Sequence, residues 1–140
     1  MTTITELLQP DDTVNWHEVV REWQALVAQL TSQVRAWSEA RGWRVDEKTL
    51  TLTEEQLGTY EVPMLIMELA QRQVLLEPIA RRVIGAQGRV DLYSYPSMDR
   101  VMLLYDGERW ILRPELGPTW PLPWGESTFV DLLERFATET

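Results

Sequence analysis

The chain has 140 residues, 44% of them hydrophobic and 25% charged, a length and composition that suit one domain with a core of its own, spanning residues 1–140. It contains no cysteine, so disulfides, thiolate metal sites and cysteine nucleophiles are excluded. Its formal charge of −9 opposes wholesale binding to nucleic acid or anionic lipid, because phosphate is repelled at long range.

Met1 to Thr13 is polar and reads as a short arm. Met1–Pro10 has no basic residue and no apolar run of signal-peptide length, and no segment approaches the roughly 20 apolar residues of a membrane span. A cytoplasmic protein is expected. From Asn15 to Arg41 the sequence predicts one long amphipathic helix: Trp16, Trp23, Leu30 and Trp37 recur at heptad spacing, flanked by Val19, Leu26 and the file Val20, Val27, Val34. Asn15 with Glu18 makes a capping box, Val14 and Val19 a staple across it, and Gly42 a stop. At 1.5 Å per residue the rod is roughly 40 Å long, with Arg35 and Arg41 placed where the helix dipole favours positive charge.

Lys48 to Thr53 alternates threonine with Leu50 and Leu52, the pattern of a half-buried strand. Thr53 to Gln56 repeats a capping-box signature, but Gly58 leaves room for one helical turn only. Val62–Leu69 and Val74–Ile79 read as strands apolar on both faces and joined by a polar turn, with Pro63 and Pro78 confining them to edges or ends; a helix over Met64–Leu76 competes on propensity. Gly85–Gly88 is a turn, and Val90, Leu92 and Tyr93 form a strand that Pro96 ends. Asp106-Gly107 between Val101–Tyr105 and Glu108–Leu112 predicts a two-residue type I′ hairpin. Gly117 to Gly125 is too proline-rich for helix or central strand and is expected in polyproline II. Residues 126–137 predict a closing helix with Phe129, Leu132, Leu133 and Phe136 on one face. The order implies an α+β fold, the long helix packed on a mainly antiparallel sheet of five or six strands and the short C-terminal helix completing the cover.

Catalytic readings run out of residues. His17 is the only histidine, in the first turn of the long helix, and Gly-x-Ser-x-Gly, Walker A, His-Glu-x-x-His and EF-hand patterns are absent, so neither metal nor cofactor is expected. Asp91, Asp99 and Glu108 supply carboxylates whose convergence spacing does not reveal. A helix carrying Glu18 and Glu22, then Asp91 in Gly88-Arg89-Val90-Asp91, then a further strand, resembles the order of restriction-endonuclease-like nucleases. The following strand here, Arg100-Val101-Met102-Leu103-Leu104, lacks their acid-x-Lys, so the resemblance implies an inactive site.

Binding is the better reading: a non-catalytic protein-binding module, such as an immunity or inhibitor protein or an accessory subunit, that sets an acidic surface against a basic partner. Trp120 and Trp124 in the proline-rich stretch suit either an exposed aromatic ligand or a plug at the core edge. The heptad tryptophans suit core packing, with a homodimer through the long helix as the other use, although the repeat fails at Gln33. The alternative is anion or nucleic-acid binding by a degenerate nuclease-like domain. Residues 81–113 form the one positive segment, six arginines against four acids, and Arg89 and Arg100 are its candidate contacts.

Overall fold

The computed structural model describes residues 14–114 and 122–138. Helix α1 (Trp16–Glu39) is followed by strands β1 (Arg44–Glu54), β2 (Gly58–Leu69), β3 (Arg72–Ala80), β4 (Arg89–Tyr95), β5 (Arg100–Tyr105), β6 (Trp110–Pro114) and β7 (Leu122–Pro123), then helix α2 (Glu126–Thr138). All strands join one antiparallel sheet in sequence order, so every strand pairs with its neighbour along the chain. The fold is α+β as the sequence implies, with seven strands rather than five or six because Leu122–Pro123 adds a two-residue strand at the β6 edge.

The Asn15 half of the predicted capping box forms: Asn15 has extended backbone and its side chain accepts from the Glu18 N–H. Val14 stays exposed, so the staple adds little. The helix ends at Glu39. Gly42 takes φ +84° and lets the Trp43 N–H return to the Ser38 carbonyl at 3.1 Å, folding Trp43 into the core. Arg41 lies beyond the last turn, where its guanidinium reaches back to the Trp37 carbonyl at 3.5 Å.

Trp23, Val27, Leu30 and Val34 line the buried stripe of α1, each stabilising the fold by roughly 1.5–3 kcal/mol relative to exposure. They meet Val62, Leu65 and Met67 of β2, Val74 and Leu76 of β3, Val90 and Leu92 of β4, Val101 and Leu103 of β5 and Trp110 and Leu112 of β6 in one core. Helix α2 adds Phe129, Leu132, Leu133 and Phe136, the face read from its spacing. Trp23 reaches as far as Trp110, their ring centroids 6.0 Å apart. Over Gly88 its indole lies so close that a Cβ there would fall 2.3 Å from Cζ3.

Several local expectations are corrected. Pro63 and Pro78 sit in interior strands, not edge strands. Both are tolerated because pairing lapses beside them: β2 pairs with β3 only over Leu65–Leu69, leaving Pro63 without a β3 partner, and Pro78 lies at the β3–β4 register shift. The break shows in the pleat as well. The buried file in β2 runs through Tyr60 and Val62, then switches to Leu65 and Met67, and in β1 the half-buried residues switch in step, from Val45 to Leu50 and Leu52. The Thr53–Gln56 signature makes no helical turn, because Gln56 takes φ +73° and closes the β1–β2 hairpin instead. The β5–β6 hairpin forms one step later than predicted. Tyr105 pairs with Trp110, so Gly107-Glu108 is the tip and only Gly107 has positive φ, while Asp106 remains in register and its carboxylate accepts the N–H groups of Glu108 and Arg109 at 2.8 and 2.9 Å. Residues 60–69 and 72–80 are strand with a turn at Ala70 and Gln71 between them, so the competing helix over Met64–Leu76 does not form.

Candidate functional site

Both described helices lie on the face of the sheet that carries the buried file, and no described element packs on the other. Register fixes what that second face displays. One row runs Asp46, Ile66, Leu75, Tyr93, Arg100, and the next Glu77, Asp91, Met102, Arg113. A third runs Arg89, Leu104, Ile111. An outward sheet face is ordinarily polar; this one has an apolar band of half-buried side chains across its middle. The sequence signal was the unbroken apolar run in Val101–Leu104, where strict alternation would have put polar residues at Met102 and Leu104.

At the centre of this face Asp91 is wholly buried between two arginines. Arg89 grips it with two hydrogen bonds, Nε to Oδ1 at 2.7 Å and Nη2 to Oδ2 at 2.9 Å, and Arg100 Nη1 donates to Oδ2 from the next strand. The Arg100 guanidinium also lies 4.7 Å from the centroid of the Tyr93 ring, whose hydroxyl donates to Glu77 Oε1 at 3.0 Å. Burial, helped by that hydrogen bond and by the charge of Glu77, holds the Tyr93 hydroxyl above its ordinary pKa. The structure thus brings Arg89 and Arg100 together, but on a carboxylate of the same chain.

The other predicted site residues are scattered. Trp124 packs toward the core, with ring centroids 5.6 Å from Trp37 and 5.5 Å from Phe129. Beside it a groove of about 530 Å³ runs between α1 and the β5–β6 hairpin, floored by Leu26, Leu30 and Trp110 and rimmed by Gln29, Gln33 and Arg109. Trp120, with most of the proline-rich stretch, lies outside the described residues, as does the N-terminal arm. Glu18 and Glu22 are exposed on α1 whereas Asp91 is on the far side of the sheet, so the nuclease-like set is not assembled. Among the described residues no three His, Asp or Glu side chains form a group able to hold a metal ion, and no helix is long and apolar enough to cross a membrane.

One further carboxylate has a task that no motif announces. Glu54, at the end of β1, accepts the N–H of Arg81 and of Arg82, each at 2.9 Å, together with the Tyr60 hydroxyl. It ties the β1–β2 hairpin to the β3–β4 loop where β2 and β3 part. Burial first, and then the Glu54 carboxylate, raise the Tyr60 hydroxyl well above its ordinary pKa. No family model, curated protein or solved structure matches the chain.

Proposed function

We propose that the protein is a non-catalytic protein-binding module, of the immunity, inhibitor or accessory-subunit kind, and that the helix-free sheet face is the surface it presents. The observation that carries this reading is the apolar band Ile66, Leu75, Tyr93, Met102, Leu104 and Ile111 set around a centre of paired charge. Tyrosine, methionine and arginine are the residues that interfaces favour, and an ion pair already satisfied within the chain can be covered by a partner without a new unpaired charge. The formal charge of −9 favours a basic partner, whose approach it accelerates at low salt.

The test is affinity capture from the native host with the purified protein as bait, over a salt series, beside a Leu75→Lys, Leu104→Lys variant shown to be folded by circular dichroism. A basic protein should be captured by the wild type, less as salt rises, and lost by the variant. Undiminished capture by the variant would remove this face from the reading, and turnover of a small molecule with no partner recovered would remove the class.

The alternative, an anion or nucleic-acid site at Arg89 and Arg100, draws support from their convergence. Asp91 and Glu77 offset their charge, which weakens it. Labelled oligonucleotides in low salt provide the check, with Asp91→Asn releasing both guanidinium groups. A phosphate-binding pair would tighten on that substitution, with a steep loss in salt.

A further inference from the structure

Charge on the helix-free sheet face is balanced. Its three rows carry Arg89, Arg100 and Arg113 against Asp46, Glu77 and Asp91, so they are neutral and the formal charge of −9 lies elsewhere. Two copies of the chain can therefore meet on this face without setting net charge against net charge at the contact. Asp46 is paired with Arg44 at 3.5 Å, and Asp91 with Arg89 and Arg100. Of the six, Glu77 and Arg113 alone lack an ion pair among the described residues. They stand on one row, on β3 and β6, three strand spacings or roughly 14 Å apart, too far to meet within one chain.

We propose, resting on the reading of this face as a binding surface, that a second copy of this chain occupies it, sheet on sheet about a two-fold axis, until another partner displaces that copy. In a face-to-face pair the axis lies in the plane of contact. Run along the strands between β4 and β5, it sets Glu77 of each copy opposite Arg113 of the other, two reciprocal ion pairs. The same axis sets Arg100 on Tyr93, Asp91 on Met102 and Arg89 on Leu104, so no charge meets its own sign.

Neighbouring placements fail on charge. Moved by half a strand spacing, the axis falls on β4 and sets Arg89 on Arg89, or on β5 and sets Arg100 on Arg100; between β3 and β4 it opposes Glu77 to Asp91. Turned to lie along the row, it sets Glu77 on Glu77. Strands that run along the axis keep their direction in both copies, which is the aligned packing of two sheets, crossed by about 30° once each sheet's twist is counted. The overlap covers β3 to β6: four strands at ~4.8 Å and about six residues at ~3.3 Å make a patch of roughly 19 by 20 Å. That is at the small end for a specific interface, so the pair should form at micromolar concentration and yield to a stronger partner.

Sedimentation and light scattering of the purified full chain across micromolar concentrations should show a monomer–dimer equilibrium. Arg113→Glu, at an exposed position, sets acid on acid twice in each dimer and should raise the dissociation constant at least about tenfold. Glu77→Arg should do the same by opposing arginine to arginine. Mixing the two variants restores opposite charges at both contacts. The mixture should form a heterodimer within about threefold of the wild-type affinity although neither variant pairs with itself, and that recovery also shows both variants to be folded. A wild type that stays monomeric would overturn the dimer and leave capture of a basic partner untouched, so the two readings fail separately. A dimer indifferent to Arg113→Glu, or a mixture no more associated than its components, would overturn it as well.

Discussion

Replacing Glu54 by alanine removes one side chain and three hydrogen bonds at once. The bonds differ in worth. The one to the Arg82 N–H is exposed and contributes little, while those from the Arg81 N–H and from the buried Tyr60 hydroxyl are partly shielded from water. With a net contribution of roughly 1 kcal/mol for each shielded bond and less for the exposed one, the loss is about 2–3 kcal/mol, since Tyr60 is also left buried without its acceptor. For urea unfolding followed by tryptophan fluorescence, with a slope of roughly 1.5–2 kcal/mol/M, the midpoint should fall by about 1–2 M. Two further readouts are specific to the contact. Amide exchange at Arg81 and Arg82 should accelerate more than at core strands, and the Tyr60 hydroxyl should titrate at lower pH, because two of the influences that raise it come from Glu54. The linkage has a definite sign: a phenol raised in the folded state stabilises fully below the unfolded value of about 10, and its contribution is lost as pH climbs above that. The wild type should therefore lose stability above about pH 10, and Glu54→Ala should lose less of it there. A midpoint shift below about 0.3 M, or an unchanged Tyr60 titration, would refute the clasp.

Gly88→Ala should destabilise by about 2–3 kcal/mol, since the added methyl overlaps the Trp23 indole and overpacking on that scale forces a ring or strand to move; urea unfolding measures it, and a shift in tryptophan emission locates it. Arg89→Ala combined with Arg100→Ala should cost about 3–5 kcal/mol because Asp91 is then a buried charge without a partner, and adding Asp91→Asn to that pair should restore much of the loss. Asp106, whose carboxyl is held below its ordinary pKa chiefly by the Arg109 and Glu108 N–H groups, contributes stability that is present above the unfolded carboxylate pKa and lost as pH falls through the folded one. Asp106→Asn should consequently flatten the acid limb of the stability profile below about pH 4, read by thermal unfolding.

The elements legible in the sequence were those whose burial imposes a period. Trp23, Leu30 and Val34 recur on one side of a helix because the sheet covers that side, and Phe129, Leu132, Leu133 and Phe136 recur for the same reason. The start of β1, Arg44 to Glu47, gives no strand signal because it lies at the sheet edge with Val45 its one half-buried side chain, too little to set a period. The prolines misled because the edge rule concerns missing hydrogen bonds, and β2 has them missing in its interior. The candidate surface was half legible: the positive segment and its arginines stood out, but Asp91 as their common partner depends on pairing between β4 and β5 that composition does not encode. Glu54 was read as a helix signal because Thr-Glu-Glu-Gln fits a cap, and only the distant Arg81 and Arg82 amides reveal its task.

The meander that orders the strands has a consequence for how the chain is made. Each strand finds its neighbour as soon as the next few residues emerge, so the sheet can grow hairpin by hairpin during synthesis. Helix α1 is placed differently: it is made before the strands it packs on, and Trp23 must wait for Gly88 and then Trp110 before its ring is covered. For that interval Trp23, Val27, Leu30 and Val34 lie open to solvent along one stripe, and that is the window in which a chaperone has something to hold.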